Sequence, residues 1–284
     1  MKRYKKEENG KLEIGQVMYT KTFTLTVDRA LCKGCQLCRL ACPHHAIRLI
    51  PQEDVDGKAV APLLDVDENT CDFHGICAVV CPFSAITITV GGLNESPAVA
   101  KGAFPELARD IAVCNESCVP GCTKCEEACP LGVLSVNTEA GEVAVKKELC
   151  AGCPACWMAC PEDAVEVSKF IEGTIQINDE LCPADCKRCL DVCPVNALAL
   201  DENGKVLAKE LLCIYCGACK EVCPVSGALK VTRSAIRHTP VNSGAWHKGL
   251  ERLTSKAALQ RELAAGNAAR ARTAVQNLET EVNA

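Results

Sequence analysis

Six times along this chain, cysteines recur at nearly one spacing and end on a proline. Three copies have the form Cys-x2-Cys-x2-Cys-x3-Cys-Pro: Cys32, Cys35, Cys38 and Cys42; Cys150, Cys153, Cys156 and Cys160; and Cys213, Cys216, Cys219 and Cys223. Two carry one extra residue in the first gap: Cys118, Cys122, Cys125 and Cys129, and Cys182, Cys186, Cys189 and Cys193. The sixth holds Cys71, Cys77 and Cys81, with His74 in the place of the second cysteine. Such a repeat constrains the fold strongly, because no copy is long enough to bury a core alone. Composition points the same way. With 24 cysteines in 284 residues and only 4% aromatics, something bound to the cysteines has to complete the small modules.

The residues decide between disulfides and metal. The first ten are polar and basic, and no apolar segment before Thr20 suits a signal peptide. No uninterrupted apolar run approaches membrane-spanning length. A cytoplasmic chain is therefore expected, and cysteines kept reduced there serve metal. Zinc sites use paired Cys-x2-Cys units and leave the third cysteine and the proline without a role. Three thiolates at i, i+3 and i+6 can instead grip three corners of an iron–sulfur cube, while the cysteine before proline completes its neighbour. Six iron–sulfur clusters are expected, five or six of them [4Fe-4S]. The Cys-x3-Cys-x2-Cys spacing of two copies also occurs in radical S-adenosylmethionine enzymes, but here it lies inside the repeat.

Crossed ligation assigns the cysteines to six groups. In the first module, group I takes Cys32, Cys35, Cys38 and Cys81, and group II takes Cys42, Cys71, Cys77 and whatever stands for His74. In the second, group III takes Cys118, Cys122, Cys125 and Cys160, and group IV takes Cys129, Cys150, Cys153 and Cys156. In the third, group V takes Cys182, Cys186, Cys189 and Cys223, and group VI takes Cys193, Cys213, Cys216 and Cys219. His74 leaves three readings: an imidazole ligand that raises the potential, a [3Fe-4S] cluster lacking the fourth iron, or an exposed residue with no metal role. Cys114 is surplus and is expected to be a buried free thiol, with a role as an alternative ligand as the other reading.

Short alternating apolar runs flank the copies, at 46–50, 85–90, 133–136, 164–167, 197–200 and 228–231 behind them and at 23–27, 142–145 and 174–177 ahead. These read as strands, with about one helical turn between the third and fourth cysteines. The fold class expected is α+β: tandem two-cluster bacterial-type ferredoxin modules with a C-terminal helical tail. An extension is expected over 1–22, modules over 23–92, 111–170 and 171–236, a linker rich in Gly and Pro over 93–110, and the tail over 237–284. Nesting of one module inside another stays open.

The formal charge of −5 ignores the clusters, each of which carries about −2 once four thiolates are counted, so the loaded chain approaches roughly −17. Nucleic acid and membrane are therefore not expected as partners. No Gly-rich nucleotide loop and no nucleophile–base arrangement stands out, so no catalytic residue is expected.

The chain resembles the archaeal polyferredoxins, and most of all the polyferredoxin component of formylmethanofuran dehydrogenase. The resemblance rests on the cysteine copies, on LTVDRALCKGCQLC at 25–38, on CDFHGICAVVCPFSAI at 71–86 and on VTRSAIRHTPVNSGAW at 231–246. It implies a subunit that relays low-potential electrons to catalytic subunits reducing carbon dioxide in methanogenesis. The implied partners are the other subunits of that complex, with heterodisulfide reductase or another electron donor. Members of that family are associated with eight clusters, whereas this chain has six copies. A polyferredoxin attached to a hydrogenase, a diffusible carrier and a zinc-rich scaffold are the alternatives. In the tail, Trp246, Leu250, Leu253 and Ala257, then Leu259 and Leu263, make an apolar stripe, with Ser255 as a candidate cap and Gly266 as a break. The stripe is expected to dock on a partner, the alternative being a helix folded onto the chain's own modules.

Overall fold

The computed structural model describes residues 2–93, 101–241, 243–257, 260 and 263–264. One pattern of strand pairing occurs three times. In the first module β3 (Thr22–Asp28), ahead of the first cysteine copy, pairs antiparallel with β6 (Ile86–Val90), behind the second. Between them β4 (Ile47–Ile50) and β5 (Leu63–Val66) form a second ladder. The second module repeats this with β7 (Ile111–Val113) on β10 (Val165–Val167) and β8 (Leu134–Asn137) on β9 (Glu142–Val145). The third pairs β11 (Ile171–Ile177) with β14 (Leu229–Ile236) and β12 (Leu198–Leu200) with β13 (Val206–Ala208). Consecutive copies are thus framed together, and none of these ladders nests one module within another.

Each copy contributes a single helical turn between its third and fourth cysteines, where the chain has room for no more. These turns are α1 (Leu37–Ala41), α2 (Ile76–Val79), α3 (Lys124–Glu127), α4 (Ala155–Ala159), α5 (Arg188–Asp191) and α6 (Ala218–Glu221). The strands follow a period of two. In β3, Leu25 and Val27 are buried while the residues between them are not.

Three segments differ from expectation. The first residues do not stand apart: β1 (Lys2–Glu8) and β2 (Lys11–Val17) form a hairpin that extends the sheet to the order β1-β2-β3-β6. Leu12 and Ile14, alternating along β2, bury themselves beside Leu25 and Val27. The stretch read as a linker is packed from residue 104 onward: Phe104 is buried, and Leu107 bridges to His238.

The first part of the stretch expected to dock on a partner, residues 244–253, folds onto the chain's own modules. Helix α7 (Gly244–Leu253) is capped by the Ser243 side chain, which accepts from the Trp246 backbone N–H. It lies on α1 and buries Trp246, Leu250 and Leu253 in the core to which all three modules contribute. Gly249 rides directly over Ile76, where an added Cβ would stand 2.5 Å from Cδ1. The physical reason is that a ten-residue helix is marginal alone, and its apolar stripe is held by the nearest complementary surface. Ser255 donates its backbone N–H to the Arg233 carbonyl. Leu259 and Gly266 lie outside the described residues.

Candidate iron–sulfur ligand groups

The tight loops that carry the first three cysteines of a copy need left-handed backbone. Gly75 and Gly217 enter α2 and α6 at φ +97° and +93°, and Gln36 enters α1 at +62°. These kinks turn successive thiols inward. At the other end of the copy, the fourth cysteine accepts a backbone N–H from the residue four further on: Ala85 to Cys81 at 3.3 Å, Val133 to Cys129 at 3.5 Å, Ala164 to Cys160 at 3.3 Å and Ala197 to Cys193 at 3.2 Å. Hydrogen bonds to sulfur stabilise a ligand thiolate and raise the potential of the cluster it holds.

The strand pairing brings cysteines of paired copies near one another. Cys38 faces Cys35, Cys81 and Cys32, and Cys77 as well. Cys77 faces Cys71 and Cys42. Cys118 and Cys125 face Cys160, and Cys153 and Cys156 face Cys129 and Cys150. In the third module Cys189 faces Cys182, Cys186 and Cys223, while Cys216 and Cys219 face Cys193 and Cys213. Each set mixes cysteines from two copies, and neighbours also occur between sets of one module, as at Cys38 with Cys77 and Cys219 with Cys189.

The residues fit an iron–sulfide core. Burial pushes the Cys153 thiol up to about 11 and Cys156, Cys189 and Cys216 up to about 12. Thiolates so placed need positive charge at their centre. Cys118, Cys122, Cys125 and Cys160 line one cavity between them. Among the described residues no three His, Cys, Asp or Glu side chains form a site for a single metal ion.

His74 occupies a built environment. Its Nδ1 meets Asp72 Oδ1 at 2.6 Å, and Asp72 Oδ2 meets His44 Nε2 at 3.0 Å. Burial favours the neutral Asp72 carboxyl, yet the two imidazoles beside it hold it below its ordinary value. His74 Nε2 is buried without a hydrogen-bond partner, and the ring edge rests on Phe104 at 5.8 Å between centroids. A carboxylate on one ring nitrogen with the other left free is how metal-binding histidines are oriented. Cys114 is exposed, not buried as expected, because it sits at the surface end of β7. Its carbonyl faces the Cys118 thiol.

Three cations that bear on the groups were not legible in the sequence. Arg109 donates to the carbonyls of Cys81, Pro82 and Cys150 at 2.6–2.7 Å, joining the first and second modules. Arg233, 6% exposed, donates to the carbonyls of Tyr215 and Cys216 and stands within electrostatic reach of Cys35. Lys169 donates to the Glu210 carbonyl at 2.7 Å and stands within reach of Cys153 and Cys213. The only hint was a charge at an inward position of the β14 run.

Comparison with known proteins agrees with this geometry. The 4Fe-4S dicluster domain family matches residues 31–85 and 181–228, and the 4Fe-4S binding domain family matches 147–163. The chain carries tandem 4Fe-4S dicluster domains. The matched domains and the many cysteines point to multiple 4Fe-4S clusters. Polyferredoxin protein MvhB of Methanothermobacter marburgensis is 33% identical over 103 residues, 34% of this chain and 24% of the relative. A component of the Na(+)-translocating ferredoxin:NAD(+) oxidoreductase complex of Acetobacterium woodii is 34% identical over 150 residues, 49% of this chain and 39% of the relative. The chain thus spans between about a quarter and two fifths of the length of these relatives. A chain in the formate dehydrogenase–heterodisulfide reductase–formylmethanofuran dehydrogenase complex of Methanospirillum hungatei superposes with a TM-score of 0.79 at 26% identity. That match covers 89% of this chain and 92% of the other. Among the described residues, no helix is long and apolar enough to cross a membrane.

Proposed function

We propose that this chain is the iron–sulfur wire of a formylmethanofuran dehydrogenase complex, carrying low-potential electrons to the catalytic subunits and having no active site of its own. The observation that carries the reading is the match, over nearly its full length, to a chain of the Methanospirillum hungatei assembly. The six crossed thiol groups supply the means. Groups I and III to VI would each hold a [4Fe-4S] cluster through four cysteines. Group II would hold its cluster through Cys42, Cys71, Cys77 and His74 Nε2, an assignment supported by the Asp72 contact and the free ring nitrogen. When bound, the clusters supply reversible one-electron exchange. The chain's residues hold them in low dielectric, exclude water, and offer N–H groups and cations to the sulfurs.

The partners implied are the other subunits of that complex, with heterodisulfide reductase as the electron-donating neighbour. The similarity to a polyferredoxin named MvhB favours one second reading, a wire attached to another oxidoreductase. Anaerobic affinity purification of the tagged chain from a methanogen decides between them. Co-elution of molybdenum- or tungsten-containing formylmethanofuran dehydrogenase subunits is expected. Stoichiometric recovery with a hydrogenase alone would refute the first reading.

A further inference from the structure

The three modules do not meet end to end. Group I belongs to the first module, IV to the second and VI to the third, and each of these three meets the other two across a module seam. Cys35 of group I and Cys216 of group VI are electrostatic neighbours across one seam. Arg109 binds the carbonyls of Cys81 and Cys150, so it links group I to group IV across another. Lys169 lies between Cys153 of group IV and Cys213 of group VI at the third. Groups II, III and V are joined to this meeting point through their own module partners, and group V also touches the first module, where Asp191 accepts the Ala59 N–H at 2.9 Å.

A cation stands between each pair of these groups, whereas the other cations that cross the seams, Arg39, Arg188 and Arg237, are paired with the carboxylates of Glu221, Asp54 and Asp110. Arg233 is the buried one, and the half-buried Arg109 and Lys169 lean on the rings of Phe170 and Tyr215 at 5.2 and 5.1 Å. Cations also approach outer groups, namely Lys205 near Cys182, Arg3 near Cys71 and the exposed Arg252 at the Cys42 carbonyl, but each of these acts on a single group. A loaded four-thiolate cluster carries about −2 when oxidised and about −3 after one electron. Three such charges brought together repel, and a fixed positive charge between each pair offsets that repulsion most when the electron arrives.

We propose that groups I, IV and VI form a three-way electron junction whose seam cations Arg109, Lys169 and Arg233 hold its clusters at higher potential than the three outer ones. An electron entering through any outer cluster reduces it from core charge +2 to +1, passes to the junction and reoxidises the outer cluster, with no proton or bond change. Each outer cluster is then an independent port to a redox partner, and the junction is where electrons collect. This rests on the ligand assignment above, and the test separates the two.

The experiment is an EPR-monitored dithionite titration of the anaerobically purified full chain, with iron and acid-labile sulfide measured first. Arg233→Met should keep full cluster content and lower two of the three highest potentials, groups I and VI. Each should fall by at least tenfold in electron occupancy, about 59 mV for one electron. Arg233→Lys, which keeps the charge, should lower them by less than half as much. Lys169→Met, at a half-exposed position, should lower a different pair that shares one member with the first, and it serves if Arg233→Met fails to load. With full cluster content, unmoved high potentials or shifts confined to the lowest three would overturn the junction. Iron and sulfide too low for at least five clusters would overturn the ligand assignment, and the junction with it.

Discussion

Gly217→Ala should loosen the seam between the first and third modules, and its cost can be worked from the structure. Gly217 sits at φ +93°, where an L residue costs roughly 1–2 kcal/mol. Its added Cβ would stand 2.9 Å from Gln36 Nε2, 3.0 Å from Arg233 Nη2 and 3.6 Å from the Cys35 carbonyl. Neither side chain can step aside freely. Gln36 is 5% exposed and its Oε1 accepts from Arg39, while Arg233 is fastened to two carbonyls. Overpacking of this kind adds about 1–3 kcal/mol. The sum, roughly 2–5 kcal/mol, is a large part of an ordinary domain's stability, so the protein should fold but melt early.

Gly57→Ala supplies the control. Gly57 has φ +73° with nothing within 4 Å of an added Cβ, so it bears the backbone cost alone. Both variants should be fully loaded and heated anaerobically at one scan rate, following the visible absorption of the clusters, because unfolding with cluster loss is irreversible. Gly217→Ala should melt about 2–12 °C below Gly57→Ala. Adding Gln36→Ala to Gly217→Ala should recover part of the difference. Equal melting of the two glycine variants would refute the close approach of the modules at Gly217.

Pulsed EPR of the reduced protein should show nitrogen coupling from His74 that disappears in His74→Ala. His74→Cys should lower the group II potential by on the order of 100 mV, because a thiolate replaces a neutral imidazole; absence of nitrogen coupling in the unmodified protein would end the ligand reading. Trp246→Ala should cost about 3–5 kcal/mol and let protease cut within 243–257 while iron content holds, since the indole is fully buried and its Nε1 donates to His238. An unchanged cleavage pattern would contradict the docking of α7 on the chain itself.

Much of the site was legible because ligand spacing is local chemistry. Cys32, Cys35 and Cys38 lie close along the chain, and any backbone that turns tightly there brings their thiols together. The strands were legible for a related reason: alternation such as Leu25 and Val27 marks one buried face, whatever that face meets. The fate of the tail was not legible, since the same stripe of Trp246, Leu250 and Leu253 serves a partner or the chain's own α1 equally well. Nor was the hairpin of β1 and β2, whose pattern is interrupted by charges along β1.

The amino-acid sequence alone set the expected chemistry: the candidate donors, the pairing of copies through crossed cysteines, and the odd position at His74. Only the tertiary structure decided which groups meet across modules and which cations stand between them. Arg109, Lys169 and Arg233 act on cysteines distant from them along the chain. The potential at a buried cluster depends on charges summed through space in a poorly screened interior, a sum that requires the packed positions of every module.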